Sequence, residues 1–310
     1  MTRLAEVPIS EAKTNAVPCP LCFGPDQKLL FTYEGKSLRK CLQCGGSFLF
    51  PQPSSPDLAA YFQGDHVPVA DPKFGSKSGR VRVLSWVADY IQSRKPAGTI
   101  LDVGCATGLF LTRFFSEGLW QRFGVELSRW SAEQAAKNGV GVFCGNIQEA
   151  QLSAGSIDVI SVLDAFYYFP RPHSELAEFR RLLKDDGLLV LEMPLATSRI
   201  WRLSGIFGKH LSGTSHPLLV TSDHLFYYNP KSVLRLLKQC GFRVQTMVCL
   251  PGNQQEHVLR DLLYRAYGLF SRSLQLLTCS QVFLGPRFLV LAGKDLGKTP
   301  SHGAKHLRIV

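Results

Sequence analysis

No run in this chain approaches the ~18 consecutive apolar residues of a membrane-crossing helix, so no helical span is expected. The opening MTRLAEVPISEAKTNAVP lacks the apolar core of a secretory signal. It reads as a flexible leader (1–18), and a cytoplasmic location is the expectation. No Gly-x-x-x-x-Gly-Lys-Ser/Thr occurs, which leaves P-loop chemistry unsupported. No internal repeat is visible. Charged residues make up only 19% against 45% hydrophobic, which excludes wholesale disorder. Acidic residues are scarce in one place: positions 196–310 hold 15 basic and 4 acidic side chains, whereas 1–98 hold 12 and 8 and 99–195 hold 8 and 12. The last third therefore carries the whole formal net charge of +11. Such a region suits anionic partners: nucleic acid, a lipid surface or a phosphorylated substrate. A plain solvated basic surface is the alternative.

At 310 residues the chain is one large domain, or an ordinary domain with a small module. A chain of this length buries a core without staples, and its nine cysteines are an odd number, so a disulfide scaffold is disfavoured. Spacing points elsewhere. Cys19-Pro-Leu-Cys22 is followed 18 residues later by Cys41-Leu-Gln-Cys44-Gly-Gly. Each Cys-x2-Cys turn sets two thiolates on one side of a metal, and two such turns complete a tetrahedral S4 shell suited to zinc. Four sulfurs leave no position for water, so the expected zinc is structural. The predicted ribbon spans 19–50. FPQPSSPD (50–57) is rich in Pro and Ser and opens a linker expected over 51–78.

Beyond it, apolar strand-like runs alternate with helical patterns. Strands are predicted at 99–103, 122–127, 140–143, 157–163, 188–193, 242–248 and 288–294. Helices are predicted at about 79–94 (with Val83, Trp86, Val87 and Tyr90 near one face), 108–118, 128–138, 174–184 and 231–242. Near-continuous apolar strands with helices between them indicate a mostly parallel sheet covered on both faces, an α/β architecture.

The most informative segment is ILDVGCATGLFLTRFF (100–115). A strand ends at Asp102, a glycine-rich turn follows, and a helix begins, so the backbone can approach a ligand at the carboxyl edge of the sheet. The next strand ends in Gly124-Val125-Glu126, where an acidic residue can accept both hydroxyls of a ribose. The segment resembles motif I of the class I S-adenosylmethionine-dependent methyltransferases. FGVELS (123–128), CGNIQE (144–149), SIDVISVLDAFYYFPRP (156–172), LAEFRRLLKDDGLLVLEMP (176–194) and HLFYYNPKSVLRLLKQCGFRV (224–244) resemble the segments that follow it in that family. The leading ribbon, PQPS and the Tyr61-Phe62 pair are similar to a sub-group with an N-terminal zinc ribbon, often associated with methylation of sugars, lipids and other secondary metabolites.

The resemblance implies a Rossmann-like seven-stranded sheet, mostly parallel with an antiparallel final strand, over 79–294. It also implies cap insertions near 196–224 and 250–284. The tail over 295–310 is small, polar and basic and is expected to be disordered. The resemblance further implies that Asp102, Gly104, Cys105, Ala106 and Gly108 face the methionine moiety of S-adenosylmethionine. Glu126 would hold the ribose, Leu127 would lie against the adenine, Asn146 and Ile147 would read its edge, and Leu163 would line the methyl-donor side. Two positions depart from the pattern. Ala106 replaces a frequent Gly, and Tyr167-Tyr168 stand where many relatives carry Glu-His, the His being a candidate base in quinone-type O-methylation.

For the acceptor, His224 is the first candidate base, with Asp223 beside it to orient it. Asp164, Tyr167 and Tyr168 follow the fourth strand and are expected to face the cleft, where the tyrosines would position a sugar or aromatic ring; core packing is their alternative role. Residues 199–211 and 257–278 mix aliphatic and aromatic side chains with arginines, which suits either a substrate cap or peripheral contact with a membrane surface. The expected function is O-methylation of a small molecule or of a glycan-, lipid- or nucleotide-linked sugar. RNA methylation, with the ribbon and basic third holding phosphates, is the alternative. A non-catalytic binding protein is the third reading.

Overall fold

The computed structural model describes residues 17–33, 35–64, 79–195, 224–250, 270, 273 and 287–297. Nearly all of both expected cap insertions, and the tail from 298, lie outside these residues.

The chain opens with three antiparallel strands: β1 (Gln27–Tyr33), β2 (Lys36–Cys41) and β3 (Ser47–Phe50). Part of the expected linker is helical: α1 (Ser55–Gly64) begins where Asp57 accepts from the Ser54 N–H and hydroxyl, a turn that helps start the helix. The larger domain then runs α2 (Gly79–Gln92), β4 (Gly98–Val103), α3 (Leu109–Phe114), β5 (Trp120–Glu126), α4 (Arg129–Lys137), β6 (Gly141–Cys144), β7 (Ile157–Leu163), α5 (Pro172–Leu182), β8 (Leu183–Pro194), β9 (Phe226–Tyr227), α6 (Pro230–Gln239), β10 (Phe242–Leu250) and β11 (Arg287–Lys294).

Seven of these strands form one sheet in the order β10-β11-β8-β7-β4-β5-β6. Neighbours are parallel except β11, which is antiparallel to both β8 and β10. β7, IDVISVL, is buried along its whole length, as a central parallel strand covered on both faces must be. One face of the sheet packs on α2 through Val83, Leu84, Val87, Ala88 and Ile91; Trp86 and Tyr90 flank this stripe rather than lead it. Each large aliphatic side chain so buried contributes about 1.5–3 kcal/mol. On the other face, Leu176, Phe179 and Leu182 of α5 and Val233, Leu236 and Leu237 of α6 join one continuous core with the four ribbon cysteines.

The ribbon is thus not a separate bead. Its sheet gains a fourth strand from the larger domain, in the order β1-β2-β3-β9. Among the described residues no helix is long and apolar enough to cross a membrane.

Candidate active site and metal centre

Strand order reverses between β4 and β7, and chains leaving their carboxyl ends part to opposite sides, which opens a crevice. A cleft of about 990 Å³, counting its open mouth, lies there. Gly104, Glu126, Leu127, Asn146 and Ile147 line one half; Asp164, Ala165 and Tyr168 line the other. Leu58 and Phe62 of α1 close it from above. α1 is also tied to the floor, because the Gln63 amide donates to the Leu127 carbonyl (2.8 Å) and accepts from the Arg129 N–H (3.4 Å). The linker reading of 51–78 missed this wall; Leu58 and Phe62, four apart on one helical face, are the signal that was there.

The glycine loop is shaped by close approach. Gly104 has φ +79°, and a Cβ there would come within 2.8 Å of the Ala165 Cβ across the crevice. Ala106 adopts φ +48°, a left-handed conformation that strains an L-residue by about 1–2 kcal/mol and explains why Gly is frequent at this place. Its N–H donates to a Glu126 oxygen (2.9 Å), while Ser128 N–H donates to the other (2.9 Å). Burial raises the Glu126 pKa, and these donors oppose the shift. Since an ionised carboxylate has about four lone-pair sites, two remain for a diol.

Not every residue expected at the cofactor faces the cleft. Asp102 is 3% exposed beneath the loop, where it accepts the Ser161 hydroxyl (2.6 Å). Burial pushes its carboxyl up to about 7. Cys105 is buried under the loop as well, so close to Gly124 that a Cβ there would meet its sulfur at 2.5 Å. Leu163 packs into the core on the α2 side. Gly108 caps α3 at φ +76°, where a Cβ would meet Val140 at 2.8 Å and Ala135 at 3.3 Å. Asp102 and Leu163 point away from the cleft because neighbours on β4 and β7 take opposite faces, whereas Cys105 and Gly108 pack within the loop itself. Asn146 starts a 3-10 turn and its N–H donates to Glu149 (3.0 Å).

On the acceptor half, Asp164 sits at φ +63° at the tip of β7. Its N–H donates to the Glu192 carbonyl (2.9 Å), the Tyr167 hydroxyl donates to its carboxylate (2.8 Å), and Arg287 forms an ion pair with it. Burial opposes ionisation, but Arg287 and Arg80 overcome it and hold the carboxyl well below the usual range. Arg287 also pairs with the fully buried Glu192, which takes Arg80 as well (2.9 Å). Tyr167 is buried, its hydroxyl is committed to Asp164, and burial keeps it protonated; it positions other groups and does not face the cleft. Tyr168 does, edge-on to Phe62 at 5.3 Å. His224 packs on Tyr167 (ring centroids 4.0 Å), Tyr168 (5.4 Å) and Tyr227 (5.7 Å). Asp223 lies outside the described residues.

The four ribbon cysteines are all buried, with their sulfurs within 4.8 Å of one another. Cys19 and Cys44 sulfurs are 3.9 Å apart, Cys22 and Cys41 3.6 Å. Zn–S bonds of about 2.3 Å at tetrahedral angles require sulfurs about 3.8 Å apart, so the donor set fits zinc. Backbone N–H groups of Leu21 and Cys44 point at Cys19 (3.4 Å) and Cys41 (3.5 Å), as thiolates need.

A crevice at the switch point, a glycine loop and an acidic residue ending the next strand define an α/β protein that binds a nucleoside-bearing donor. A methyltransferase-domain family profile matches residues 78–247, and the chain belongs to that family. It is a class I S-adenosylmethionine-dependent methyltransferase. A tRNA U34 carboxymethyltransferase of Aeromonas hydrophila is 34% identical over 102 residues, covering 30% of this chain and 31% of that protein. The chain thus matches under a third of that curated relative's length. An Archaeoglobus fulgidus S-adenosylmethionine-dependent methyltransferase superposes with a TM-score of 0.51 at 19% identity, over 74% of this chain and 100% of that one. The complex between the Haloferax volcanii Trm112 methyltransferase activator and a methyltransferase gives 0.50 at 16%, over 77% and 97%. At these identities the likeness is one of fold.

Proposed function

We propose that the chain methylates a hydroxyl of a small molecule or of a glycan-, lipid- or nucleotide-linked sugar. The observation that carries this reading is the acceptor half of the cleft. There the anion of Asp164 lies beside Tyr168, with His224 edge-on behind it. Aromatic faces and edges beside a fixed carboxylate suit a sugar or other ring bearing hydroxyls.

Bound S-adenosylmethionine supplies a methyl group already activated by its sulfonium. The chain's task is then orientation and proton removal. Glu126 accepts the ribose hydroxyls, with Leu127, Asn146 and Ile147 around the adenine. Asp164, kept ionised by Arg287, accepts a hydrogen bond from a second acceptor hydroxyl and fixes the ring. His224 takes the proton of the attacking hydroxyl as general base. The four cysteines hold a structural zinc. A cytoplasmic location, with contact at a membrane surface through the basic C-terminal third, belongs to the same reading.

The name of the Aeromonas relative favours a second reading, RNA methylation, with the basic third on phosphates. One experiment separates them. Labelled S-adenosylmethionine is incubated with the full chain and a host extract, then lipid, polysaccharide, small-molecule, protein and RNA fractions are counted, with Glu126→Ala as control. Label in the first three supports hydroxyl methylation; label in RNA overturns it.

A further inference from the structure

We infer that the cysteine ribbon is a brace for the acceptor half of the active site, setting the place of His224 through the pairing of β3 with β9. The inference rests on the reading of His224 as an acceptor-side residue. It gives the ribbon a role distinct from gripping nucleic acid.

Among the described residues, the segment that carries His224 has no ladder to the large sheet. β9 pairs only with β3 among the described residues, with Ser47 opposite Tyr227 and Phe48 opposite Phe226. The pairing extends one step toward the histidine, since Leu49 N–H donates to the Leu225 carbonyl at 2.9 Å. Leu225 N–H in turn donates to the Tyr167 carbonyl at 3.1 Å. That bond seats the His224 ring on the Tyr167 ring, and Tyr167 donates to the cleft carboxylate Asp164. A chain of backbone bonds therefore runs from the ribbon strand to the wall of the cleft.

The second metal knuckle grips the same segment from its far end. A Cβ on Gly45 would stand 3.1 Å from the Asn229 amide, and one on Gly46 would stand 3.1 Å from the Ser232 Cβ. Asn229 and Ser232 form the reciprocal cap that starts α6, with Ser232 N–H donating to Asn229 Oδ1 and Asn229 N–H to Ser232 Oγ, both at 3.0 Å. Between strand and cap, Phe226 and Tyr228 are buried, Tyr228 stacking on Phe166 at 5.3 Å. Residues 225–232 are thus held between the ribbon and the 3-10 turn Phe166–Tyr168. A small domain of this kind, with three short strands and four cysteines, depends on its metal for its fold. Loss of the metal releases β3, and with it the support of β9.

The test uses the full chain with ring-labelled histidine and methyl-labelled methionine, observed by NMR before and after a zinc chelator. Met193 of β8 and Met247 of β10 are buried in the large sheet and report its integrity. The His224 ring signal, assigned by its loss in His224→Asn, is displaced by the Tyr167 ring. On chelation it is expected to move to the position of a free histidine while both methionine signals stay. An unmoved His224 signal in chelated protein overturns the brace.

If chelation also collapses the methionine signals, Leu49→Pro decides. Leu49 N–H points to Leu225 and away from β2, so proline removes that bond and leaves the β2–β3 ladder. With zinc content and methionine signals retained, the His224 signal is expected to shift and methyl transfer to fall about tenfold or more. A His224 signal identical to the parent's overturns the proposal. These signals are read without an acceptor, so an error about the substrate class leaves the result interpretable. Label appearing in RNA would revise the function and leave the brace standing.

Discussion

At the scale of the residue, two carboxylates divide the work of the cofactor half. Glu126 faces the cleft and carries two backbone N–H groups that preset its plane. Glu126→Ala is expected to weaken S-adenosylmethionine binding tenfold or more by calorimetry, since it removes a charge-assisted acceptor. Asp102 works differently. Its burial raises the folded-state pKa to about 7, above the ~3.9 of an unfolded aspartate. Folding therefore favours the protonated form. That contribution is fully present below pH ~4 and is lost as pH rises through about 7. Asp102→Asn mimics the protonated group. Its melting temperature relative to the parent is expected to climb between pH 5 and pH 8, and parallel curves over that range would refute the assignment. Asp102 was legible as a motif residue, but its burial beneath the loop, outside the cleft lining, was not. Motif letters do not say which face of a strand a side chain takes.

At the scale of the element, α1 walls the cleft through Leu58 and Phe62, while the ribbon pairs with β9 outside its lining. Gln63 makes two hydrogen bonds to the loop that follows Glu126, and a typical net hydrogen bond is worth about 0.5–1.5 kcal/mol. Gln63→Ala is therefore expected to loosen cofactor binding severalfold without changing zinc content. Cys41→Ser, by contrast, is expected to lower zinc stoichiometry by mass spectrometry and to unfold the ribbon; full zinc retention would contradict the ligand set. The Cys-x2-Cys pairs were readable because metal geometry dictates short spacing. α1 left only the faint signal of Leu58 and Phe62, because Pro and Ser at 53–56 mark a boundary while the helix they start is stabilised by the distant Leu127 carbonyl.

At the scale of the whole molecule, one buried charge network joins α2, β8, β11 and the tip of β7. Arg80 and Arg287 share Glu192, and Arg287 continues to Asp164. Removing one partner strands the others in low dielectric, so Glu192→Ala is expected to destabilise by about 3–5 kcal/mol in denaturant unfolding. The same variant should displace Asp164, whose ionised state depends on Arg287 first and Arg80 second.

The amino-acid sequence by itself determined the α/β class, the seven strands of the large sheet and the metal-ligand set. Each of these follows from local spacing: apolar runs of strand length, a glycine turn after a strand, and paired cysteines. Only the tertiary structure decided that β9 leaves the large sheet to pair with the ribbon, that Tyr167 is a buried support while Tyr168 faces the cleft, and that Asp164 is pinned by an arginine 123 positions further along the chain. Those facts depend on contacts between segments far apart in sequence. No local periodicity encodes which edge a two-residue strand will find.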